Sequence, residues 1–144
     1  MINEEHFRKL ERMYGRASCN EYYAPKLSIS EGAAEVVIPV QQRFHHVLGA
    51  VHGSVYFKAL DDAAFFAVNS LVEDVFVLTA SFTVHLFEPI TAGQMKASGK
   101  VVHGSRGMFV AEASLVDSDG VEIARGIGTY ARSKATLSPD IGYE

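Results

Sequence analysis

The sequence predicts an α+β domain in which a curved antiparallel sheet wraps around one long central helix. Three observations carry that expectation. From Val55 to Leu71, 12 of 17 residues are apolar, and they fall on every side of a helical projection, so this helix belongs in a core. Four strand-like runs follow it, joined by connections too short for the crossovers that parallel pairs need, which predicts an antiparallel meander. At 144 residues the chain is long enough to bury roughly 70% of its unfolded surface around a single core without disulfide or metal staples.

The elements follow in order. Asn3 is placed to cap a first helix over residues 3–14, with Glu4 and Glu5 in the turn where the helix dipole favours acids. Phe7, Leu10, Met13 and Tyr14 give it one apolar stripe and Gly15 a stop, so it should lie on the outside of the domain. Leu27 and Ile29 alternate with Ser28 and Ser30, Glu31-Gly32 reads as a turn, and Val36-Val37-Ile38 as a second strand ending at Pro39. Gln41 to Val51 shows neither period and reads as a loop into the central helix. The later strands are Val75 to Phe87, Gln94 to His103, Met108 to Asp117 and Val121 to Ala131. Between them stand Glu88-Pro89 with Gly93, the turn Gly104-Ser105-Arg106-Gly107, and Asp119-Gly120, a strong hairpin signal. The polar tail from about Ser133 should be loose. No repeat or linker divides the chain, so residues 1–144 form one domain. A sheet of this kind has edges that must be covered or paired, and a symmetric edge-to-edge dimer is the economical solution.

Composition narrows the partners. A net charge of -4 gives no general attraction to nucleic acid or to an anionic membrane. Cys19 stands alone and cannot form an intrachain disulfide, which fits a reducing compartment. Residues Met1 to His6 contain no apolar signal core, and no run approaches the roughly 18 apolar residues of a membrane span. The expectation is a cytoplasmic domain with no nucleic acid and no membrane partner.

The chemistry concentrates on the central helix. Asp61 and Asp62 sit near the middle of a greasy segment, where a carboxylate is costly unless paired, solvated through a cavity or partly protonated. Successive helical residues diverge by about 100°, so the two acids should not face one substrate together, and Lys58 can pair with either. Gly53 opens the helix, where an unpaired backbone N–H aided by the dipole can receive an oxyanion; turn geometry alone would also explain a glycine there. Ser54 suits the N-cap. His45, His46 and His52 match no zinc spacing, so no metal is expected. Thr79 offers a hydroxyl that both donates and accepts, although a β-branched residue equally suits a strand.

With these residues in view, the chain resembles the hotdog-fold acyl-CoA thioesterases, most closely the PaaI-like branch, named for phenylacetate degradation, of the 4-hydroxybenzoyl-CoA thioesterase superfamily. The resemblance covers about residues 35 to 132 and rests on an ordered set: Gly49 in a loop, His52-Gly53, an acid nine residues after the histidine, Thr79, Phe87-Glu88-Pro89 with Gly93, and the Gly-Ser-Arg-Gly turn. Two positions depart from it. Ser54 replaces the second glycine of His-Gly-Gly, and His46 stands where the loop often carries Asn.

The resemblance implies hydrolysis of an acyl-CoA thioester by water, with the CoA thioester as substrate and no cofactor, in a homodimer or a homotetramer built as a dimer of dimers. Asp61 would be the base or the nucleophile, acting from the facing subunit. Gly53 would polarise the carbonyl, His52 would orient the loop or the thioester carbonyl, and Thr79 would position the attacking water. His46 and Ser54 would contact substrate, and Arg106 and Gly107 would lie near the CoA phosphates. Tyr56, Phe57, Phe65 and Phe66 would line an acyl pocket or simply fill the core. Two competitors stand beside this: a hotdog protein that binds acyl-CoA without turnover, and an enoyl-CoA hydratase or dehydratase, whose Asp-His motif this sequence lacks.

Overall fold

The computed structural model describes residues 3–144; Met1 and Ile2 lie outside them. Helix α1 spans Glu4–Gly15, one residue beyond the expected end, and the Asn3 side chain caps it by accepting the His6 N–H. Its stripe of Phe7, Leu10, Met13 and Tyr14 is buried against Ile29, Phe66, Ala67 and Leu137. A short helix α2, Asn20–Tyr23, follows, ending at Ala24 with φ 52°; the sequence pattern did not reveal it. Helix α3 spans Gly53–Asn69. The strands are β1 Lys26–Ser30, β2 Ala33–Pro39, β3 Val75–Leu86, β4 Gln94–Gly104, β5 Phe109–Val116 and β6 Glu122–Thr136.

All six strands pair antiparallel, in the order β1-β2-β4-β5-β6-β3. The sheet wraps α3, which gives the hotdog fold. The expected meander is therefore only partly realised: β4, β5 and β6 are consecutive neighbours, but β3 pairs with β6 rather than with β4. Strand β2 takes the β4 edge that β3 would need, from Ala33↔Lys100 to Pro39↔Gln94. The short connection after β3 instead crosses the end of the sheet, pinned by Val51 N–H to the Ile90 carbonyl (3.0 Å) and Val40 N–H to the Gly93 carbonyl (2.8 Å). One edge of the sheet is thus β3, twelve residues long.

Small residues let α3 lie close on the sheet. Ala59, Ala63, Ala64 and Ala67 are fully buried, and a Cβ on Gly99 of β4 would stand only 2.4 Å from the Ala63 backbone. The end of α3 is tied to β3 through Asn69, fully buried. Its Nδ2 donates to the carbonyls of Val72 (3.0 Å) and Val75 (3.1 Å), and its Oδ1 accepts the Val77 N–H (3.0 Å). This link sets where Thr79 lies relative to the helix.

The tail departs from expectation. Strand β6 runs to Thr136, Leu137 is buried, and a 3-10 turn spans Pro139–Ile141. Beyond it, Tyr143 OH meets Nδ1 of the buried His6 (2.7 Å), and Arg16 pairs with Glu144 (2.7 Å). Tyr143 and Glu144 thus anchor the tail on α1 and its C-cap.

Candidate active site

The middle of α3 presents Asp61 toward β3 and β6. In the sheet register Thr79 stands opposite Tyr130, and both side chains turn inward. Thr79 Oγ1 donates to Asp61 Oδ1 at 3.0 Å, and Tyr130 OH donates to the same oxygen at 3.0 Å. Asp61 Oδ2 makes no hydrogen bond among the described residues. Burial pushes the Asp61 carboxyl above the ordinary aspartate range; the two hydroxyls and Lys58 work against that shift, and Asp62 adds to it. Ser81, which a regular strand would place on the face of Thr79, is turned away by a register shift between Thr79 and Ser81 and pairs with Thr129 Oγ1 (2.7 Å).

Asp61 opens onto a mainly apolar cavity of about 420 Å³, lined by Phe65, Phe66 and Phe76, with Met13 and Ile141 from the two terminal segments. Asp62 also lines this cavity, which extends around α3, but it turns toward α1 while Asp61 turns toward β3 and β6. Asp62 Oδ2 accepts Tyr14 OH at 2.6 Å and pairs with Lys58 Nζ at 2.7 Å. Burial raises the pKa of Tyr14, with Asp62 adding to it, so that phenol stays a donor. The ammonium of Lys58 also lies against the rings of Tyr14 and Tyr23.

A second cleft, about 430 Å³, opens at the start of α3 and is lined by His46, His52, Gly53, Tyr56 and Leu86 among others. The N-cap is His52, not Ser54. His52 Nδ1 accepts the Ser54 N–H (3.0 Å) and lies 2.8 Å from Ser54 Oγ. An Nδ1 that accepts leaves the hydrogen of the neutral ring on Nε2, a second donor beside the helix start. Gly53 N–H has no partner among the described residues. His46 shapes the neighbouring turn, its Nδ1 accepting the Leu48 N–H (3.1 Å). Among the described residues, no group of three or more His, Cys, Asp or Glu side chains is placed to hold a metal ion.

The predicted residues thus form two clusters, Asp61 with Thr79 and Gly53 with His46, His52 and Ser54. Asp61 lies eight residues past Gly53, about 12 Å along the helix axis, so one chain does not bring them to a common point. Arg106 and Gly107 sit in the exposed β4–β5 turn and line neither space. Of the aromatics, Phe65 and Phe66 line the Asp61 cavity, Tyr56 lines the Gly53 cleft with its OH on the Glu88 carbonyl (2.8 Å), and Phe57 packs edge-on against Phe82. Tyr130 was not foreseen. Only the β3–β6 register shows that it faces Thr79.

A family model described as "Thioesterase superfamily" matches residues 48–124, more than half of the chain and the stretch that holds Gly53, Asp61 and Thr79. The chain belongs to this superfamily. Among curated relatives, "Putative esterase SSO2140" of Saccharolobus solfataricus is 26% identical over 104 residues, covering 72% of this chain and 74% of that one. Solved structures of similar fold include the E. coli PaaI protein from the phenylacetic acid degradation operon, with TM-score 0.86 and 20% identity, covering 96% of this chain and all of that one. A Haemophilus influenzae thioesterase aligns with TM-score 0.77 and 16% identity over 87% of this chain and 88% of that one. The family and the hotdog fold expected from the sequence are both borne out. Neither the curated relative nor the structures carry over a substrate.

Proposed function

We propose that this superfamily member hydrolyses an acyl- or aryl-CoA thioester to free acid and CoA. The single observation behind this is the division of α3. A half-buried carboxylate with one unpartnered oxygen faces a greasy cavity, while an unpaired N–H and a histidine donor stand about two helical turns away at the helix start. Attack on a thioester needs both an activated nucleophile and a home for the developing oxyanion. A symmetric homodimer supplies them together, with Gly53 of one subunit facing Asp61 of the other. Strand β3 supports this arrangement, being an edge strand with Leu78, Leu86 and the adjoining Phe87 about half exposed. Sedimentation velocity distinguishes this homodimer from a homotetramer built of two such dimers.

In this scheme the thioester carbonyl sits at Gly53 N–H, with His52 Nε2–H beside it. Asp61 Oδ2 takes a proton from water or attacks the carbonyl itself. Thr79, whose hydrogen is committed to Asp61, keeps lone pairs to accept a hydrogen from that water. His46 and Ser54 border the carbonyl, and the Arg106-Gly107 turn is offered to the CoA phosphates across the subunit boundary. The carboxylate route calls for no metal or other cofactor. With the lone Cys19 and acyl-CoA as substrate, the setting is the cytoplasm.

The test is thiol release from a panel of aliphatic and aromatic acyl-CoAs, comparing wild type with Asp61→Ala. The expected result is turnover in the wild type and a loss of at least about a hundredfold in the variant. Turnover that survives the substitution would move the role away from Asp61, and tight binding with no thiol release would identify an acyl-CoA-binding protein instead.

A further inference from the structure

We propose that Tyr130 is a positioning residue which, with Thr79, occupies one oxygen of Asp61 and leaves the other as the single reacting oxygen. This rests on the thioester hydrolysis proposed above and adds to it a residue outside the stretch matched by the family model. A carboxylate that turns freely offers two equivalent oxygens. Here two hydroxyl donors converge on Oδ1, each at 3.0 Å, while Oδ2 has no partner among the described residues and Asp61 lines the cavity. Two charge-assisted hydrogen bonds on one atom fix the plane of the group and break the equivalence. They also favour the ionised form in a setting where burial opposes it.

The phenol is itself held by packing. Tyr130 is fully buried, and its hydroxyl passes Gly128, where an added Cβ would lie 2.9 Å from it. The ring of Phe82 fills the notch left by Gly126 and Gly128, 2.3 Å and 2.5 Å from where their Cβ atoms would be. Phe57 backs that ring edge-on at 5.6 Å, and Phe65 stands edge-on to Tyr130 at 6.0 Å. Two glycines on alternate positions of β6 thus give Phe82 its seat and keep the path of the hydroxyl open. The other charged and titratable groups around Asp61 are Lys58 and Asp62 on α3, and Tyr14, Arg16 and Cys19 from the N-terminal segment.

The test is Tyr130→Phe, which removes one oxygen and keeps the ring, with Thr79→Val as a second variant that removes the other donor. Ionisation of Asp61 is followed by carboxyl 13C NMR, and thiol release is followed against pH. In both variants the Asp61 midpoint should move upward and the acid limb of the rate profile should move with it. Turnover should fall about tenfold in Tyr130→Phe, with KM within about twofold of wild type. An unchanged midpoint in Tyr130→Phe, or unchanged turnover in an active enzyme, would overturn the assignment. If the wild type releases no thiol from any acyl-CoA, the proposed function fails, and the NMR titration still decides the role of Tyr130.

Discussion

At the scale of the residue, Asp61 carries a conflict between stability and chemistry. Its carboxyl titrates above the ordinary aspartate range in the folded chain because burial penalises the charge. A raised folded-state value means that this group's contribution to stability is complete below the unfolded-state value. That contribution is lost as pH rises through the folded-state value. Asp61→Asn should therefore raise the unfolding midpoint at neutral pH. The gain should vanish once the pH falls below the ordinary carboxylate range, where wild-type Asp61 is protonated in both states. The amide oxygen can still accept from Thr79 and Tyr130, so neither hydroxyl is stranded. The same substitution should cost roughly a thousandfold in thiol release. Paired urea denaturation and rate measurements from acid to neutral pH check both halves. A variant less stable than wild type at neutral pH would show that the hydrogen bonds to the carboxylate outweigh its desolvation.

At the scale of the element, the joint between α3 and β3 governs the site, because it fixes how far along the sheet Thr79 falls. Asn69 makes that joint with three hydrogen bonds, all within buried or half-buried surroundings. Asn69→Ala should destabilise the domain by about 3 kcal/mol, chiefly because the buried Val77 N–H is left without an acceptor. Chemical denaturation measures this, and a cost near zero would mean that β3 is held by its pairing with β6 alone. The same joint shows what sequence could and could not reveal. The all-round apolar segment after His52 announced a core helix, and Asp61 stood out because a charge there needs a reason. Alternation revealed β5, and Asp119-Gly120 revealed the hairpin into β6. What stayed hidden depends on distant pairing. That β3 joins β6 follows from β2 occupying the nearer edge of β4, and neither local period nor loop length encodes it. Tyr130 falls inside the last predicted strand, and only the register sets it opposite Thr79. The tail read as loose because its anchors, His6 and Arg16, lie more than a hundred residues earlier.

At the scale of the whole molecule, the question is whether one chain contains a working site. Asp61 and Gly53 share a rigid helix about 12 Å apart along its axis, so no side-chain motion brings them together. This makes subunit complementation a decisive experiment. Gly53→Pro replaces the N–H with the ring Cδ and causes little disturbance elsewhere. Gly53 is the first residue of α3, where proline is well tolerated, and His52 at φ -64° and ψ 143° already has the extended backbone that precedes a proline. The nearest atom to an added Cβ is the flexible end of Leu86, at 3.0 Å. Alone, Gly53→Pro should lose about a hundredfold in turnover, as expected when an oxyanion donor is removed, and Asp61→Asn should be nearly inactive. Mixed and allowed to exchange subunits, the two should regain activity. A heterodimer joins the intact Gly53 of one chain to the intact Asp61 of the other at one of its two sites, while the other site carries both lesions. Random pairing makes half of the dimers hybrid, so recovery should approach about a quarter of the wild-type rate. Recovery that tracks the hybrid fraction, measured by native mass spectrometry, would establish a site built across two subunits. If the mixture stays as inactive as its components while hybrids form, each chain must use groups of its own, and Asp61 would have to find its oxyanion donor elsewhere than Gly53.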